Sequence, residues 1–120
     1  MKIIYVIGPY RAKSEWDVGN NIRAAELLAV EVWRLGFACI CPHKNTAFLG
    51  GACPDQVWLD GDLEILSRCD GAITIKGWED SAGSVAEVEF CKSRGIPVFH
   101  EIEELTKWHR CEHEQEKNSS

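Results

Sequence analysis

A chain of 120 residues is long enough for one hydrophobic core and too short for two. With 45% apolar and 27% charged residues it reads as a soluble globular protein, and its net charge of −6 excludes a polymeric nucleic acid, whose phosphate backbone requires a basic face. No apolar run approaches the roughly 18 residues of a membrane span, so no membrane partner is expected.

The first apolar run, Ile3 to Ile7, is too short for a signal peptide and runs straight into Gly8-Pro9. It reads as a central parallel strand buried on both faces, and a cytoplasmic location is expected. Asn20 or Asn21 is expected to cap a helix whose positions Ile22, Ala25, Leu28, Ala29 and Val32 keep helical spacing, with Gly36 stopping it. A second strand over 37–41 ends at Pro42. Residues 43–54 carry little periodic signal, and a loop of that length in a small domain is usually functional or mobile. A helix over 55–69, with Trp58, Leu59, Leu63 and Leu66 as its apolar stripe, leads to a third strand over 71–75. A helix over 83–93, a strand over 96–99 and a Glu-rich helix over 101–114 complete the pattern, with 116–120 as a flexible tail. Alternating strands and helices predict a single α/β domain over 1–115. Its fold would be a three-layer, doubly wound (Rossmann- or flavodoxin-like) parallel sheet of four to five strands with helices on both faces.

Six cysteines invite a disulfide reading, but Cys39 and Cys41 alternate in a strand while Cys69 and Cys91 lie on helices, so free thiols are expected. Cys39-Ile40-Cys41 lacks the turn of a zinc knuckle. His109, Cys111 and His113 scatter around their helix, so no metal and no cofactor is expected.

In a doubly wound sheet, ligands bind beyond the carboxyl ends of the strands. Three segments would converge there: Gly8 to Arg11, Pro42 to Thr46, and Lys76 to Ser84. Gly8-Pro9-Tyr10-Arg11 lacks the Gly-x-Gly-x-x-Gly spacing of a dinucleotide site, and no Walker-type loop is present. It is either a strand-ending turn with a solvated Arg11, or a turn that brings a backbone N–H and the guanidinium to a phosphate. His43 is either a strand-end cap or a group beside a base. Asp70 reads as a turn residue. Ser81, Gly83 and Ser84 open a helix and offer hydroxyls and backbone amides to an anion. Glu87 and Glu89 point about 200° apart on that helix, so only one faces the crevice. Glu87, nearer the cradle, is expected to be that one, with the helix dipole favouring its ionised form. Five tryptophans exceed what a small core needs, so Trp16, Trp58 and Trp78 are candidates for lining a pocket or subunit contact, with core packing as the alternative for each.

The opening Ile-Tyr-Val-Ile-Gly-Pro-Tyr, the Asn21-Ile22-Arg23 segment, Cys41-Pro42-His43-x-Asn45-Thr46, Asp62-Leu63 and Asp80-Ser81-Ala82-Gly83-Ser84-x-x-Glu87 together resemble the nucleoside 2-deoxyribosyltransferase superfamily, including its 5′-monophosphate N-glycosidase branch. Overall the chain is most similar to a small bacterial and phage family of unknown function within it. The resemblance spans Met1 to about Phe99. It implies that Glu87 attacks C1′ of a (deoxy)ribosyl group and displaces the base, and that water or a second base resolves the glycosyl-enzyme ester. It further implies that Asp62 orients the sugar hydroxyls, that Gly8, Tyr10, Asn45 and Ser84 help hold the substrate, and that His43 lies beside the base. Arg11, Ser81 and Gly83 match phosphate-holding positions, which tilts the substrate toward a nucleoside 5′-monophosphate. Pro9 stands where the glycosidase branch has a small hydroxyl residue. The C-terminal residues that full-length transferases lend to a neighbour's site have no match. The implied partners are a small nucleotide or nucleoside and a second copy of the chain, in a homodimer or higher homo-oligomer. A non-catalytic nucleotide-binding or sensing module is the alternative.

Overall fold

The computed structural model describes residues 1–47 and 49–119, with the side chains of 113 and 115–119 left aside. Four strands, β1 (Ile3–Ile7), β2 (Ala38–Ile40), β3 (Gly71–Thr74) and β4 (Val98–Phe99), form one sheet in the order β2-β1-β3-β4, with every pairing parallel. The helices are α1 (Glu15–Arg34), a single-turn α2 (Pro42–Asn45), α3 (Asp55–Ser67), α4 (Ala82–Arg94) and α5 (Ile102–Ser119), with a 3-10 turn at Trp78–Asp80. The expected doubly wound α/β fold is the fold observed.

Period-two alternation in β1 divides the core into two layers. Ile4 and Val6 face α1 and α5, where they meet Ala25, Ala29, Val32 and Leu105. Tyr5 and Ile7 face α3 and α4, where they meet Leu66, Val88 and Cys91. The chain therefore winds to one side of β1 through α1 and to the other through α3, and the order reverses between β1 and β3. That reversal opens a crevice at their carboxyl ends.

The start of the sheet is tied by Asp70, which does more than turn the chain. Its carboxylate accepts the Ile3 N–H at 2.7 Å, and its own N–H donates to the Ile3 carbonyl at 2.9 Å. The carboxyl end of β1 is closed by Gly8, where a Cβ would lie 2.2 Å from Ile75 Cδ1 and under 3 Å from two further Ile75 atoms.

Helix α1 begins earlier than the Asn20–Asn21 reading. Ser14 is its N-cap, accepting the Asp17 N–H at 3.1 Å, and Gly19, Asn20 and Asn21 lie inside the helix. Asn21 serves another purpose: its side-chain amide donates to the Tyr10 carbonyl at 3.2 Å and ties down the loop after β1. Gly36, at φ 99°, reverses the chain just past the helix end. In the 43–54 segment, Pro42–Asn45 is helical. Of the expected α3 stripe, Leu66 is fully buried, Leu63 packs against the same layer and Trp58 is half-buried, while Leu59 is 48% exposed and falls off the line. Helix α5 runs past Glu114 to Ser119, while Ser120 lies outside the described residues, as does the side chain of His113.

All six cysteines are free: Cys39, Cys69 and Cys91 are buried, Cys41 and Cys53 half-buried, and Cys111 exposed. Burial pushes the Cys39 thiol up to about 12 and those of Cys69 and Cys91 up to about 11, which keeps them unreactive. Among the described residues, no helix is long and apolar enough to cross a membrane.

Gly8→Ala is expected to cost about 1–3 kcal/mol, because the added methyl has no space against Ile75. Gly61→Ala, in α3 with nothing within 4 Å of the new Cβ, is expected to stabilise by about 0.5–1 kcal/mol. Urea melts of the two variants check both signs.

Candidate functional site

A cavity of about 630 Å³ lies at the β1/β3 reversal, within the ~300–1,000 Å³ range of small-molecule sites. Four elements build it. Tyr5 comes from within β1, and the loop after β1 contributes Gly8, Tyr10 and Arg11. Helix α2 and the residues after it supply His43, Thr46 and Gly50. Helix α3 presents Asp55, Trp58, Leu59 and Asp62, which at spacings of three, four and seven residues form one helical face. The last wall is Asp80 and the start of α4, with Ser81, Gly83, Ser84 and, one turn deeper, Glu87.

The polar atoms of this cavity set it apart. Among the described residues, five buried side-chain polar atoms have no hydrogen-bond partner in the protein: Tyr5 Oη, His43 Nδ1, Trp58 Nε1, Ser84 Oγ and Glu87 Oε2. All five belong to residues lining this one cavity. A buried polar group without a partner costs roughly 1–3 kcal/mol, so a folded chain does not gather several in one place without use for them.

Individual placements follow from local structure. His43 is buried, and its Nε2–H donates to the Pro9 carbonyl at 2.9 Å; that bond fixes the tautomer and leaves Nδ1 as a bare acceptor. Tyr10 packs edge-on against it at 5.8 Å. Ser81 caps α4, accepting the Ser84 N–H at 3.3 Å. Gly83 turns an open face outward: a methyl there would meet nothing nearer than Ser81 Oγ at 4.0 Å. Arg11 is engaged by Asp55, Nη2 to Oδ2 at 2.6 Å.

Of the residues singled out in the sequence, Gly8, Tyr10, Arg11, His43, Asp62, Ser81, Gly83, Ser84 and Glu87 all line the cavity. Asn45 does not; it is exposed and lines a second depression beside edge strand β2, with Trp33 and Lys44. Of the tryptophans, Trp58 lines the cavity, Trp16 is 79% exposed, and Trp78 stacks on His100. Sequence reasoning did not assign Tyr5, Asp55 or Leu59 to the site, and it named Asp80 only as part of the motif before Glu87. The signal for Tyr5 was a hydroxyl in the middle of a strand buried on both faces, which requires a partner the sheet cannot supply. For Asp55 and Leu59 it was the helical spacing that carries them with Trp58 and Asp62.

Residues 2–103 match the family described as Domain of unknown function (DUF1937). The chain belongs to this family. No curated protein matches it. Among solved structures, the 2-deoxyribosyltransferase from Bacillus psychrosaccharolyticus superposes with a TM-score of 0.63 at 18% identity, covering 80% of this chain and 69% of that one. The fold of this DUF1937 protein is thus that of a nucleoside 2-deoxyribosyltransferase, as the sequence resemblance implied.

In the DUF1937 chain, the electrostatics of the cavity centre on Glu87. Burial pushes its carboxyl up to about 7; the nearby Tyr5 hydroxyl draws it down, and the Asp62 carboxylate raises it further. Tyr5 lies close enough to Glu87 to act on its carboxyl, yet neither Tyr5 Oη nor Glu87 Oε2 has a hydrogen-bond partner. The helix dipole does not dominate here as expected, because Glu87 lies beyond the first turn of α4, where that influence fades. Burial also raises Asp62, raises the Tyr5 phenol well above its ordinary value with help from Glu87, and lowers His43, which stays neutral.

Raising the Glu87 pKa from 4.5 in the unfolded chain to about 7 means the folded state holds the proton more tightly across that interval. Stability is therefore lost as pH rises from about 4.5 through 7. Glu87→Gln, which removes the buried charge, is expected to raise Tm at pH 8 by about 3–8 °C and to change it little at pH 5. Thermal melts of both proteins at the two pH values check the difference.

Proposed function

We propose that this protein cleaves or exchanges the N-glycosidic bond of a (deoxy)nucleoside or its 5′-monophosphate, with Glu87 as the nucleophile. The observation that carries the reading is the carboxyl of Glu87: buried at the cavity wall, with Oε2 unpartnered and Tyr5 and Asp62 beside it. A carboxylate held away from water and from protein donors is reactive toward an electrophilic carbon.

In the first step, a Glu87 oxygen forms a bond to C1′ as the C1′–N bond breaks, and the electron pair leaves with the base, which takes up a proton. In the second, water or another base attacks C1′ from the opposite face and releases Glu87, so configuration is retained over two displacements. Asp62, whose carboxyl lines the same cavity, accepts from the sugar hydroxyls. His43 Nδ1 and the Trp58 Nε1–H offer one acceptor and one donor to the base and sugar. The 2-deoxyribosyltransferase fold supports glycosyl transfer as the class of chemistry, and in this reading Arg11 and the start of α4, which line the same cavity, face the 5′ substituent.

Because Glu87 must be ionised to attack, kcat/KM is expected to rise with pH through about 7 and then level off. Glu87→Ala is expected to reduce release of free base by more than ~10³-fold while changing ligand affinity by less than about threefold. Chromatographic detection of base over a panel of nucleosides and nucleotides, with calorimetry on the same proteins, makes the test. Base release that persists in Glu87→Ala would refute the nucleophile assignment. Tight binding by the wild type with no release would instead identify a nucleotide-binding module.

A further inference from the structure

What the cavity accepts at the 5′ position depends on charges at its mouth, and the argument rests on the nucleoside reading above. We propose that Asp55 is a specificity-determining residue that, by occupying Arg11, shifts the site toward the uncharged nucleoside and away from its 5′-monophosphate.

Arg11 is the one arginine or lysine among the described residues lining the cavity, while four carboxyl side chains, Asp55, Asp62, Asp80 and Glu87, line the same space. The guanidinium is already partly engaged. It reaches from the loop after β1 to the first residue of α3 and holds the Asp55 carboxylate at 2.6 Å. The other anion-binding feature, the start of α4, is also partly committed. The Ser84 N–H donates to Ser81 Oγ at 3.3 Å and the Val85 N–H to the Ser81 carbonyl at 3.0 Å.

A 5′-phosphate brings a charge of about −1.5 to −2 at pH 7. To pair with Arg11 it must displace Asp55 or share the guanidinium with it, and either way the Asp55 carboxylate lies beside the phosphate in a cavity already rich in acids. A 5′-hydroxyl has neither difficulty, since it can donate to a carboxylate and leave the Arg11–Asp55 pair intact. Both partners are largely exposed, Arg11 at 70% and Asp55 at 59%, so the pair is exchangeable. It sets a preference between ligands and does not bar one of them.

Calorimetry with each 2′-deoxynucleoside and its 5′-monophosphate, on wild type, Asp55→Asn, Arg11→Gln and the double variant, tests this, with base release followed in parallel. Each protein is its own control, because the quantity read is the ratio of its affinities for the two ligands. Asp55→Asn is expected to move that ratio about 3–10-fold toward the monophosphate, and by clearly less in the Arg11→Gln background. A ratio unmoved by Asp55→Asn, or moved equally with and without Arg11, overturns the assignment of Asp55. A shifted ratio with no base released by wild type supports Asp55 and refutes the glycosidic reading. Base release with an unmoved ratio does the reverse. Failure of both ligands to bind any of the four proteins refutes both.

Discussion

Burial of β1 on both faces is the constraint from which the rest of the molecule follows. A parallel strand in the middle of a sheet must send alternate side chains into two different layers, and β1 sends Ile4 and Val6 to one and Tyr5 and Ile7 to the other. Helices on both faces are then required, the connections must pass to both sides of β1, and a crevice opens where they part. Gly8 sets how tightly the ends of β1 and β3 close beneath that crevice, since Ile75 occupies the space a side chain would need. The same strand delivers the first polar group of the site, the Tyr5 hydroxyl, from inside the core.

Around that hydroxyl the protein accepts a local loss of stability. Tyr5, Trp58, Ser84, His43 and Glu87 each bury a polar atom without a protein partner, and Glu87 also carries a carboxyl whose charge is penalised by burial. The two apolar layers offset this by packing the supporting elements firmly, with Ile4, Ile7, Ile73, Leu66 and Leu105 fully buried. Donors and acceptors held by a rigid frame need little reorganisation when a ligand arrives, which is the physical advantage of leaving them unpaired. At the mouth the situation is opposite: Arg11 and Asp55 are exposed, satisfied by each other and exchangeable.

Much of this was legible in the sequence because it rests on local rules. The apolar run of Ile3 to Ile7, the small residues before Glu87 and the alternation of strand and helix each write a short-range pattern into the chain. The separation of Glu87 from Glu89 followed from helical geometry alone, and Glu89 is exposed. Other features were misread for equally physical reasons. Asn20 and Asn21 have the chemistry of a helix start, yet Ser14 caps the helix and Asn21 is used by the Tyr10 carbonyl. Leu59 keeps the period of its helix but falls at the cavity rim instead of against the sheet. Asn45 follows His43 by two residues on a helical turn, and that turn aims it elsewhere.

By itself the sequence determined the fold class and the segments that meet at the strand ends, because hydrophobic period and turn chemistry act over a few residues and are written directly in the chain, and its motifs carried the resemblance to the family. Only the tertiary structure decided the state of the groups brought together there. The pKa of Glu87 depends on how much water the packed helices exclude and on Tyr5, 82 positions earlier in the chain. The pairing of Arg11 with Asp55 depends on where β1 ends and α3 begins relative to each other. Burial and long-range proximity are properties of the assembled core, and no window of sequence contains them.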